Sequence, residues 1–166
     1  GYFEIAKNKE RPFVVNTAFQ EIEVLGTHFN INDYRNEPFT KTTLVEGSVK
    51  VVTTSGATST LKPNQESVVT KSGQLKVNAA DIGIALAWKN KEFLFDGASL
   101  YEIMRTVERW YDVEVIYPKV PVQGTFSGGI SRLENLSEVL KSLESTGKVK
   151  FKIEGKKLLV LSLKTQ

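Results

Sequence analysis

His28 is the chain's one histidine and the first side chain to weigh as a ligand or a base. A metal site would need partners at ligand spacing, and Glu23 and Asp33 stand in no such pattern. Phe29 and Ile31 alternate with His28, Asn30 and Asn32, so His28 falls on the polar side of a strand as a solvent-facing structural residue. The sequence contains no cysteine, which excludes a thiol nucleophile, a disulfide framework and thiolate metal sites. Gly128-Gly129 follow Phe126-Ser127, but with neither G-x-G-x-x-G nor a P-loop lysine. They read as the end of a strand before a helix. No pair of carboxylates is marked by its spacing for acid–base work. Glycosidase carboxylates can lie far apart in sequence, so this weighs only lightly against hydrolysis. Together these residues point away from an enzyme and call for no cofactor or metal.

The stronger chemical signal lies near the end of the sequence. Lys148, Lys150 and Lys152 alternate with Val149, Phe151 and Ile153, giving a strand with one basic and one apolar face. Such lysines solvate a surface or guard a sheet edge against aggregation. The same pattern also serves a docking edge, where a partner strand adds by main-chain bonds and lysines steer an acidic partner. Lys148, Lys150, Phe151 and Lys152 are therefore the candidate partner-binding residues. Gly155, followed by Leu158 to Leu161, reads as a hairpin that presents this strand. Single-stranded nucleic-acid binding by the lysines and Phe151 is disfavoured, because the apolar register should be buried.

Around these residues, composition describes an ordinary globular protein: 166 residues, 40% hydrophobic, 25% charged and a net charge of +3. That length can bury a core without metal or disulfides. Residues up to Gly83 hold nine basic and nine acidic groups, so the later part carries the whole excess. The longest uncharged apolar run, Ile82 to Trp88, is too short to span a bilayer. Gly1-Tyr2-Phe3-Glu4-Ile5 already reads as a strand, with no leader-like segment ahead of it, and the chain is expected to be a piece of a longer protein.

Two parts with different periodicities follow, with expected boundaries 1–83 and 84–166. The first reads as all β: Thr, Val and Phe are abundant, and turn residues recur at Asn36-Glu37-Pro38, Ser55-Gly56, Pro63-Asn64 and Ser72-Gly73. Gly47, between Leu44-Val45 and Val49-Lys50-Val51, suggests a tight turn or bulge. A β-sandwich, jelly roll or short β-solenoid fits this pattern.

In the second part, Leu100, Ile103, Met104 and Val107 line one helix face, with Ser99 and Glu102 spaced as a capping box. Leu136, Val139, Leu140 and Leu143 repeat the face, with Asn135 and Glu138 as the cap pair. Leu100 and Leu136, Val107 and Leu143, and Val115 and Phe151 are each 36 residues apart. Strands at Glu92–Phe95, Val113–Ile116 and Val149–Phe151 complete a duplicated β-α-β unit, expected to form a small α+β domain on one shared sheet. Trp110 and Tyr111 should belong to its core, and Trp88 should pack between the two parts.

An ordered set of motifs resembles the FecR family: Val24-Leu25-Gly26-Thr27-His28-Phe29-Asn30-Ile31, Thr43-Leu44-Val45-Glu46-Gly47-Ser48-Val49, Leu61-Lys62-Pro63-Asn64-Gln65, Trp88 to Phe95, Leu100 to Trp110-Tyr111, and Phe151-Lys152-Ile153. The resemblance covers almost the whole chain. It implies a FecR-like domain followed by one similar to the short N-terminal signalling domains of TonB-dependent transducers and secretins. It further implies the periplasmic region of a transmembrane anti-sigma regulator. In that role it would receive a signal from the signalling domain of an outer-membrane transducer. It would thereby control release of an extracytoplasmic-function sigma factor held by a cytoplasmic segment, with a transmembrane helix anchoring the whole in the inner membrane. The alternative from another class is a carbohydrate-binding or hydrolytic β-sandwich protein of the cell envelope.

Overall fold

Nine strands precede the first helix in the computed structural model, which describes residues 1–118 and 122–162. They are β1 (Tyr2–Glu4), β2 (Phe13–Asn16), β3 (Gln20–Val24), β4 (His28–Asn32), β5 (Phe39–Glu46), β6 (Val49–Thr53), β7 (Thr58–Leu61), β8 (Gln65–Thr70) and β9 (Leu75–Ala79). They form two antiparallel sheets, ordered β1-β4-β5-β8-β9 and β2-β3-β6-β7. Alternation sends one side of each strand inward. Ile22, Val24, Val49, Val51 and Leu61 from one sheet meet Phe29, Ile31, Leu44 and Val69 from the other in a single apolar cluster. This is a β-sandwich, and its wholly antiparallel pairing sets the parallel solenoid alternative aside.

The core is apolar only part of the way along. Gln20, Thr40, Thr42, Thr53 and Ser67 are also buried, and the Gln20 side-chain amide donates to Thr42 Oγ1 at 2.7 Å. Gly47 does not close a hairpin. It carries the chain from β5 in the five-stranded sheet to β6 in the four-stranded one, next to another crossing at Gly26. A register shift lies beside it, in the β4–β5 ladder between His28 and Phe29. Gly47 has φ +92°, and a Cβ there would lie 2.6 Å from the Gly26 carbonyl oxygen.

The chain divides into two compact units, Gly1–Leu86 and Ala87–Gln166. The division falls three residues beyond the expected boundary because a short helix, α1 (Ile82–Leu86), packs on β5 of the sandwich. In the second unit a 3-10 turn at Ala87–Asn90 leads into β10 (Glu92–Ser99), α2 (Leu100–Tyr111) and β11 (Glu114–Ile116). There follow β12 (Thr125–Ser131), α3 (Leu136–Glu144), β13 (Val149–Glu154) and β14 (Lys157–Ser162). The strand–helix–strand unit thus occurs twice. Leu100, Ile103, Met104 and Val107 of α2 and Val139, Leu140 and Leu143 of α3 are buried in one cluster with Phe93, Phe126, Val149, Leu158 and Val160. Each buried aliphatic side chain contributes roughly 1.5–3 kcal/mol, which offsets the marginal stability of helices this short.

The helix starts form as their residue types dictate. The Ser99 hydroxyl accepts from Glu102 N–H while the Glu102 carboxylate accepts from Ser99 N–H, a complete capping box. Asn135 accepts from Glu138 N–H in the same way, but the Glu138 carboxylate instead takes a bond from Lys141 Nζ at 2.7 Å.

Some expectations are corrected. The helices do not share one sheet: β10 and β12 form an antiparallel pair, while β14 lies between β11, parallel to it, and β13, antiparallel. The helices instead share one core between those two sheets. The repeat is also imperfect, since Phe93 and Phe126 are 33 residues apart where Leu100 and Leu136 are 36. The extra residues, Arg132 to Glu134, are held by the end of α2. The Arg132 guanidinium lies over Phe93 and Trp110 at 4.6 and 5.0 Å, Trp110 Nε1 donates to the Arg132 carbonyl, and the Tyr111 hydroxyl donates to the Glu134 carbonyl. Trp110 is therefore a rim residue, 46% exposed, rather than core. Trp88 is 38% exposed and belongs to neither apolar cluster.

Gly47→Ala should destabilise the sandwich by more than about 1 kcal/mol, since the new Cβ meets backbone and the conformation is left-handed. Urea unfolding of the variant against the parent measures it, and an unchanged midpoint would contradict the close crossing.

Candidate protein-docking edge

Period-two alternation assigns the residues of β13 to its faces. Val149 is fully buried and Phe151 half-buried against the core of the second unit. Lys150 and Lys152 project from the opposite face and are exposed. There Lys150 stands opposite Leu161 and Lys152 opposite Leu159, which in turn stands opposite Ile116 on β11. The outer face of this sheet therefore carries an apolar centre, with Ile116 38% and Leu161 42% exposed, and a basic margin along β13.

Among the described residues, β13 pairs with β14 on one side only, so it is an edge strand. This resolves what the sequence leaves open, which strand of the hairpin is the edge. The hairpin turns at Gly155, with φ +62°.

The four candidate residues are not all brought together. Lys150 and Lys152 share the exposed face, while the Phe151 ring turns to the opposite, core side. Lys148 is drawn back to the body of the unit. Its Nζ donates to the Thr125 carbonyl at 2.7 Å and lies 5.3 Å from the centre of the Phe126 ring. Lys150 Nζ lies 3.9 Å from Glu144, and Lys152 Nζ 2.6 Å from Glu154. These exposed ion pairs contribute little stability in water, so they can be exchanged for a partner's carboxylates at small cost.

Sequence reasoning passed over Glu144 as a functional group. Its carboxylate accepts the Phe151 N–H at 2.7 Å, on the strand side away from β14. The available signal was the 36-residue offset, which relates Glu144 to Glu108.

The remaining chemistry is sparse. His28 Nδ1 lies 3.5 Å from Glu46 on the partly exposed side of β4. Among the described residues, no three His, Cys, Asp or Glu side chains gather as metal ligands. A hollow of about 240 Å³ in the sandwich is lined by Phe3, Val15, Thr17, Ile31, Asp33 and Tyr34. It contains one carboxylate, Asp33, which accepts a bond from Thr40 Oγ1 at 2.5 Å.

A family model described as FecR protein matches residues 2–50, and one described as FecR, C-terminal matches residues 92–160. The chain belongs to the FecR family. Two crystal structures of a candidate anti-sigma factor from Parabacteroides distasonis ATCC 8503, at 1.65 and 2.50 Å resolution, share its fold, with TM-scores of 0.87 and 0.86. Each is 21% identical, over 98% of this FecR-family chain and 76% of the other. No curated protein matches the sequence. The C-terminal FecR match spans β10 to β14 up to Val160, and so includes the whole of β13.

On the far side of the same sheet, Tyr117 follows β11 and packs on Tyr101 with ring centres 4.6 Å apart. Burial, then the Glu108 carboxylate, pushes its phenol up to about 12, against an opposing effect of Arg105. The fold therefore favours the neutral phenol. That contribution is intact below the ordinary tyrosine value of 10.0 and is lost as pH rises through about 12. Absorbance titration of the tyrosinates should show a phenol ionising at about 12 that Tyr117→Phe removes, and Tyr117→Phe should lose less stability than the parent between those two pH values.

Proposed function

We propose that this chain is the periplasmic receiver region of a transmembrane anti-sigma regulator and acts by binding proteins rather than by catalysis. Its membership of the FecR family and its likeness to a candidate anti-sigma factor support this reading. The partner proposed for the region is the short signalling domain of an outer-membrane TonB-dependent transducer. The proposed output is control over an extracytoplasmic-function sigma factor held by a cytoplasmic segment of the same protein, anchored in the inner membrane.

One observation carries the docking part of this reading. β13 is a six-residue edge strand that pairs with a neighbouring strand on one side only among the described residues, and its exposed face bears Lys150 and Lys152. An edge supplies affinity through main-chain hydrogen bonds to an added strand, and flanking lysines select an acidic partner and hasten encounter. Phe151 supports the strand from behind, and Lys148 ties its start to Thr125. The lysines are proposed to act at the interface directly, and Phe151 and Lys148 to hold the strand that presents them.

The test is titration of the folded chain with the signalling domain of a TonB-dependent transducer. A complex in the micromolar range is expected. Lys150→Glu combined with Lys152→Glu should weaken it about tenfold, mostly through a slower on-rate, and flatten its salt dependence. Absence of any complex at high micromolar concentration, with both proteins folded, would rule the reading out.

A further inference from the structure

Two glutamates occupy equivalent places in the repeat. Glu108 and Glu144 are 36 residues apart, as are Val115 and Phe151. In each copy a carboxylate from the end of the helix turns back onto the strand that follows. The Val115 N–H donates to Glu108 Oε1 at 3.2 Å, and the Phe151 N–H donates to Glu144 Oε1 at 2.7 Å. Both helix ends are arranged to allow this, since the same two glutamates accept turn amides on their carbonyls, from Val113 and from Gly147.

Both amides face away from the strand that pairs with them. The Glu114 N–H donates to the Lys156 carbonyl at 2.8 Å. The next amide, Val115, therefore points to the open side of β11. On β13, Phe151 is in the same position at the opposite edge of the sheet. Each carboxylate oxygen sits where the carbonyl oxygen of an added strand would bind.

We propose that Glu144 is a displaceable guard of the β13 edge, a side-chain mimic of a partner strand that must leave before the partner docks. This rests on the docking reading above. Glu108 is the fixed counterpart. β11 has three residues, so capping Val115 closes its one outward position. β13 has six, with the backbone amides of Val149, Phe151 and Ile153 on the side away from its paired strand, and Glu144 covers only the middle of that row. The partner that fits is an extended segment whose carbonyl replaces Glu144 at the Phe151 N–H, with acidic side chains for Lys150 and Lys152. Guarding makes the edge selective: a strand that brings main-chain acceptors alone must break a charge-assisted bond first, while one that also brings carboxylates recovers that loss at the lysines.

Three variants of the full chain test this: Glu144→Ala, which removes the acceptor; Glu144→Gln, which removes the charge and keeps an acceptor oxygen; and Glu108→Ala. Two measurements are made on each: amide exchange at Phe151 and Val115 by NMR, with Leu158 as a core reference for global opening, and titration with the transducer signalling domain. Glu144→Ala should speed exchange at Phe151 about tenfold with Leu158 unchanged, and tighten binding by a similar factor, the scale of one lost charge-assisted bond. Glu144→Gln should do neither to that extent, and Glu108→Ala should release Val115 without changing binding. Unchanged Phe151 exchange in Glu144→Ala overturns the guard. Equal tightening by Ala and Gln also overturns it, by assigning the effect to charge alone. If the complex forms and depends on Lys150 and Lys152 while Glu144→Ala binds like the parent, the guard fails and the docking edge stands. No complex with any variant overturns the docking reading itself.

Discussion

The second unit depends on two matched helix faces burying themselves in one core. Leu100, Ile103, Met104 and Val107 from α2, with Val139, Leu140 and Leu143 from α3, fix each helix in rotation as well as in place. A helix whose apolar stripe is held inward has no freedom over where its polar positions point. Glu144, one residue beyond Leu143, is thereby aimed along the rim of the sheet at Phe151. Glu108, one residue beyond Val107, is aimed at Val115 by the same geometry. The edge chemistry follows from core packing, which is why duplication of the helix also duplicated the contact.

The three-stranded sheet then has two edges of different character. Duplication supplied β11 and β13 as equivalent strands, but they flank β14 in opposite senses, one parallel and one antiparallel. The shorter edge is closed by one carboxylate and the longer is covered in part. Natural sheets blunt their edges with charge to avoid unwanted pairing. Here the same device coexists with an edge long enough to accept a chosen strand, and the lysines distinguish a chosen strand from a chance one.

Much of this was legible in the residues. The helices were readable because i, i+3, i+4, i+7 spacing at Leu100 and Leu136 coincides with cap residues at Ser99 and Asn135. The sandwich turns were readable because Ser55-Gly56, Pro63-Asn64 and Ser72-Gly73 allow little else. Pairing between strands was not readable, because alternation fixes which face is buried and not which neighbour is bonded. That is why one shared sheet was expected where two exist, and why Gly47 passed for a turn within a sheet rather than a crossing between sheets. Trp110 misled for a related reason: an aromatic at a helix end reads as apolar surface, whereas its indole N–H and the cation above its ring suit the rim. Of the candidate site, Lys150 and Lys152 were read from period two alone. Glu144 needed the repeat to be followed through its polar positions as well as its apolar ones.

The topology also orders events during synthesis. β14 lies between β11 and β13, yet it is the last of the three to leave the ribosome. Until it arrives, β11 and β13 have no middle strand to pair with, and the inward faces of Val115, Val149 and Phe151 lack Leu158 and Val160 to cover them. The nascent unit thus passes through an interval with two unpaired strands and an incomplete core, the condition under which chains recruit holding factors or aggregate.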